Sequence, residues 1–76
     1  MAFLRFDRRL ALGLSSAFFA LVLFLVFNPN HADAHFYLAV TLEKMGRSGE
    51  ARPHWRDYQA LAPKGEWVEL AKEFSD

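Results

Sequence analysis

The sequence predicts an all-α chain: one N-terminal transmembrane helix, then a helical hairpin, then a short C-terminal helix that closes it. Two observations carry this reading. An unbroken apolar run, Leu10 to Phe27, follows Arg5, Arg8 and Arg9 and contains no ionisable residue. Beyond Asn28, apolar residues recur every three or four positions in three stretches separated by proline and glycine breaks. The expected organisation is a basic cytoplasmic N-terminus (1–9), a membrane helix (10–27) and an extramembrane helical domain (28–76).

The membrane helix comes first. Eighteen helical residues rise roughly 27 Å, close to the hydrocarbon thickness of a bilayer. Residues 1–27 hold three arginines and one aspartate, while residues 28–76 hold six Lys/Arg and eight Asp/Glu. Basic residues beside a span stay on the cytoplasmic side. Arg5, Arg8 and Arg9 therefore place the N-terminus in the cytoplasm, near lipid headgroups, and the rest on the extracytoplasmic side of the inner (plasma) membrane, which is the periplasm if the cell is Gram-negative. Ala32-Asp33-Ala34 has the form of a signal-cleavage site, but the apolar run is longer than a signal core and the site falls inside a helix. Gly13, Ala17 and Ala20 share a face, which suits close approach of a second helix.

The hairpin follows. Asn28-Pro29-Asn30 breaks the chain, since Pro29 lacks an amide proton. Asn30 is the expected N-cap of a helix over 31–45, with Ala34, Leu38, Leu42 and Met45 on one face. Gly46 should end it in a left-handed conformation. Ser48 should cap a second helix over 49–62, through Ala51, Trp55, Tyr58 and Leu61, with Pro53 early in it. Pro63-Lys64-Gly65 is the next break. Trp67, Leu70, Ala71 and Phe74 then mark a third helix over 66–74.

The stretch from Ala32 to Pro63 resembles one tetratricopeptide repeat, a unit of about 34 residues built from two antiparallel helices. With Ala32 first, Leu38 and Ala39 stand at the close-packing sites of the first helix and Leu42 at its usual Tyr site. Gly46 falls at the turn, Ala51 at the small site where the helices touch, Trp55 at the large aromatic site and Pro63 at the terminal proline. His35 replaces a usual Trp and Tyr58 a usual Ala. The resemblance implies a binding scaffold, with the last helix as a cap. Repeats of this kind stack, and a lone one leaves apolar surface open. Phe36, Trp55, Tyr58, Trp67 and Phe74 are many aromatics for so short a domain, so they join Gly13, Ala17 and Ala20 as expected interface residues.

Catalytic chemistry is not expected. His31 and His35 have the spacing of a two-histidine metal pair, but HADAH lacks the glutamate of H-E-x-x-H. A third ligand would have to be Asp33, His54 or a partner residue, so no metal centre or other cofactor is expected. The chain has no cysteine, no glycine-rich phosphate loop and no serine in a nucleophile context. Trp55-Arg56-Asp57-Tyr58 reads as packing and helix-surface pairing. A mildly acidic domain offers no footprint for nucleic acid.

The expected function is a small single-pass accessory subunit of a larger integral-membrane complex, such as a respiratory, photosynthetic or other membrane oxidoreductase. Its partners would be neighbouring subunits and the lipid bilayer, with self-association open. The alternative is a membrane-anchored adaptor or assembly factor of the tetratricopeptide type that recruits a soluble protein or peptide.

Overall fold

The computed structural model describes residues 8–75, with side chains from Gly13 onward. Among them the chain is wholly helical: α1 (Arg8–Phe27), α2 (Ala32–Lys44), α3 (Ser48–Leu61) and α4 (Val68–Ser75). Each helix packs chiefly on its neighbour in sequence, α1 on α2, α2 on α3 and α3 on α4. This is how stacked helical repeats bury surface. The ends of α1 and α3, Phe27 and Leu61, lie one 34-residue period apart, and each is followed by a proline, Pro29 or Pro63.

The breaks act largely as their residues dictate. Gly46 has φ +74°, the one positive φ among the described residues. It lets Arg47 N–H reach Leu42 O at 2.8 Å and Gly46 N–H reach Glu43 O at 3.0 Å, the paired bonds of a Schellman motif. The N-caps differ from expectation by one residue each. His31, not Asn30, caps α2, its Nδ1 accepting from Ala34 N–H at 3.1 Å. Arg47 occupies the N-cap of α3 without a side-chain cap. Ser48 lies inside that helix and donates to Glu43 at 2.8 Å instead. Arg47 forms a bidentate pair with Glu50 across the first turn.

The core lies between α2 and α3. Ala39 and Ala51 are both fully buried, so the two backbones approach closely there. Phe36 is the hub of the aromatic packing. It stacks on Trp67 (4.2 Å, 13°) and meets Trp55 and Tyr58 at 5.6 Å each. Phe74 of α4 stacks on Trp55 at 5.2 Å. Tyr58, the departure from the usual small residue, holds the turn into α4: its hydroxyl oxygen accepts from Trp67 N–H at 3.2 Å. Gly65 is required beside it, because a Cβ there would collide with that hydroxyl and come within 2.9 Å of Ala62 O.

The helix expected at Leu10–Phe27 is present within α1, yet among the described residues no helix is long and apolar enough to cross a membrane. The membrane span expected there is therefore not shown; Arg5 lies outside the described residues, as do the side chains of Arg8 and Arg9. Phe18, Leu21, Val22 and Leu25 of α1 turn toward the hairpin core, and Arg47 lies over the Phe18 ring at 4.8 Å. That face packs on the chain's own hairpin. The opposite face, Phe19, Leu23, Val26 and Phe27, is 60–76% exposed.

Candidate functional site

Two places stand out: a polar cluster at the α2–α3 seam, and the apolar outer face of α1.

The cluster is built by helical spacing. His54 and Asp57 are three apart on α3 and share a face; His35 faces them from α2. The Nδ1 atoms of His35 and His54 are 3.1 Å apart, and His35 Nδ1 is 3.7 Å from Asp57 Oδ2. The ring centroids are 5.3 Å apart with planes at 27°, so the imidazoles meet edge to edge. His35 is buried, and its Nε2 lies 2.8 Å from Pro29 O. A carbonyl only accepts, so His35 Nε2 donates to it, and in the neutral ring Nδ1 presents a lone pair. His54 is half-buried. Burial pushes its pKa down, the neighbouring His35 adds to this, and Asp57 only partly opposes them. His35, His54 and Asp57 thus offer three ligand atoms within 4.8 Å of one another.

The two histidines with metal-pair spacing in the sequence, His31 and His35, do not come together; His35 meets His54 instead. His31 lies at the N-cap with its Nδ1 engaged by Ala34, and its ring sits edge-on to Phe24 at 5.0 Å. His35 instead points across the seam. The sequence held one clue, the His-x-x-Asp spacing on α3, which reads as ordinary helix surface until α2 is placed against it.

The residues expected at an interface divide. Phe36, Trp55 and Tyr58 are buried within the chain's own core, so they offer a partner nothing; the aromatic excess is absorbed by stacking rings on one another. Trp67 is half-buried against Phe36, and Phe74 remains 43% exposed. Gly13 and Ala20 are exposed and Ala17 is half-buried; among the described residues nothing lies within 4 Å of a Cβ placed at Gly13. The apolar stripe at Phe19, Leu23, Val26 and Phe27 was not singled out from sequence, because a uniformly apolar run gives no sign of which face is covered.

Residues 23–52 match a family model described as tetratricopeptide repeat. The match begins in the last turns of α1, covers α2 and ends in the first turn of α3. The chain thus carries a tetratricopeptide-like repeat, whose matched segment starts earlier than the 32–63 register expected above. No curated protein and no solved structure matches the chain.

Proposed function

We propose that the protein is a protein-binding adaptor of the tetratricopeptide type, held at a membrane face by its N-terminal segment. The observation that carries the reading is a repeat-like hairpin stacked on α1, whose far side is left apolar and open. So continuous an apolar face is rarely left uncovered unless something docks on it. Phe19, Leu23, Val26 and Phe27 recur at helical spacing and fit the apolar face of a partner helix or peptide. The described residues hold one repeat-like hairpin beside α1, and a helix laid along the open face of α1 is the mode that face fits.

A photo-crosslinking residue at Leu23 tests this. Discrete protein adducts, lost when Phe19 and Phe27 are changed to Glu, are the expected result. Crosslinks to lipid alone would overturn it. Membrane placement is tested separately: an alkaline-phosphatase domain fused after Asp76 should be active, and inactivity would reverse the assigned topology. The second reading, a permanent accessory subunit of an integral-membrane complex, draws on the apolar run Leu10–Phe27. Stoichiometric co-migration with a large complex on native electrophoresis favours it, whereas transient capture favours the adaptor.

A further inference from the structure

We propose that His35, His54 and Asp57 form a binding site for a zinc-class divalent cation that clips α2 to α3. Two imidazole nitrogens and one carboxylate oxygen are the donors that zinc takes, with the fourth tetrahedral position left to water. Magnesium and calcium prefer all-oxygen sets and are disfavoured by two imidazoles.

The geometry fits. Ligand atoms about 2.0–2.1 Å from a tetrahedral ion lie ~3.3 Å from each other. Two of the three separations, 3.1 Å between the Nδ1 atoms and 3.7 Å from His35 to Asp57, fall on either side of that value, and all three ligand atoms lie within 4.8 Å of one another. The two Nδ1 atoms face each other and share the ring proton of His54. An ion takes that place once this proton passes through solvent to His54 Nε2 and the half-exposed His54 ring tilts, so that both Nδ1 lone pairs meet off the line between them. His35 need not move. Its Nε2–H bond to Pro29 O is the outer contact that fixes the tautomer and orientation of a metal-bound histidine. Asp57 is available, since among the described residues its carboxylate pairs with no lysine or arginine. The site joins the two helices of one repeat unit at the seam on which the hairpin depends. The assignment does not rest on the adaptor reading.

The test uses the full chain, stripped with a chelator and titrated with Zn²⁺ by calorimetry, with Co²⁺ absorption as a report on coordination. One ion per chain and a raised melting temperature are expected. His54→Gln and Asp57→Asn, both at accessible positions, should each weaken binding by about tenfold or more while the metal-free melting curve stays close to that of the parent. His31→Asn keeps an N-cap and removes the alternative histidine; it should leave the affinity unchanged. No binding at sub-millimolar zinc, binding indifferent to both α3 substitutions, or binding lost in His31→Asn would each overturn the site.

Discussion

Removing the Trp55 indole is the sharpest test of how the hairpin is held. Trp55 is 1% exposed. Its ring meets Phe36 edge-on at 5.6 Å and stacks on Phe74 at 5.2 Å, and its Nε1–H donates to Glu43 at 3.3 Å. A buried Trp removes roughly 150–250 Å² from water, worth about 4–6 kcal/mol at ~25 cal/mol per Å². Measured Trp→Ala costs in cores run about 3–5 kcal/mol, because the site partly collapses. A domain this small has only about 5 kcal/mol to lose. Trp55→Ala should therefore lose cooperative unfolding, read by far-UV circular dichroism in a urea titration. Trp55→Phe keeps a ring on Phe36 and Phe74 but drops the bond to Glu43; it should retain cooperativity with a lower midpoint. A Trp55→Ala chain with the parent's helicity and midpoint would refute the packing derived above, since no other described residue fills that volume.

Three further outcomes are expected. Gly65→Ala forces a methyl group into Tyr58 and Ala62 O and should cost about 1–3 kcal/mol, visible as a lowered urea midpoint. Gly46→Ala places a Cβ at φ +74° in open space, so only backbone strain acts; a cost of about 1–2 kcal/mol is expected, with no change in helicity below the transition. In the chelator-treated chain, stability should fall as pH drops below 6.5. His54 is held below that ordinary value when folded, so the unfolded chain takes up the proton first. Its contribution is complete above 6.5 and is lost as pH falls toward the folded value. Melting temperatures between about pH 7.5 and 5 should show this slope, and His54→Gln should flatten it.

Much of the fold was legible in local chemistry. Pro29, Pro63 and Gly46 act on the backbone through constraints that need no tertiary partner, so all three breaks fall where they stand in the sequence. The 3.6-residue period of Ala34, Leu38 and Leu42 picks the buried face of α2 for the same reason, and Ala39 and Ala51 mark the close approach. Caps were less legible, because His31 competes with Asn30 for the same amide protons and the winner depends on how the chain enters the helix. The interface and the ligand cluster were least legible of all.

The sequence by itself determined that the chain is helical and where its helices stop, since backbone constraints and periodicity act within a few residues; its resemblance to a tetratricopeptide repeat implied which two of them pair. Only the tertiary structure decided which apolar side chains are already satisfied and which remain open. Phe36, Trp55 and Tyr58 turned inward because they found one another across α2 and α3, while Phe19, Leu23, Val26 and Phe27 stayed outward because α2 covers the other face of α1. The same packing brought His35 to His54 and Asp57, an encounter between residues about twenty positions apart that no local pattern can announce.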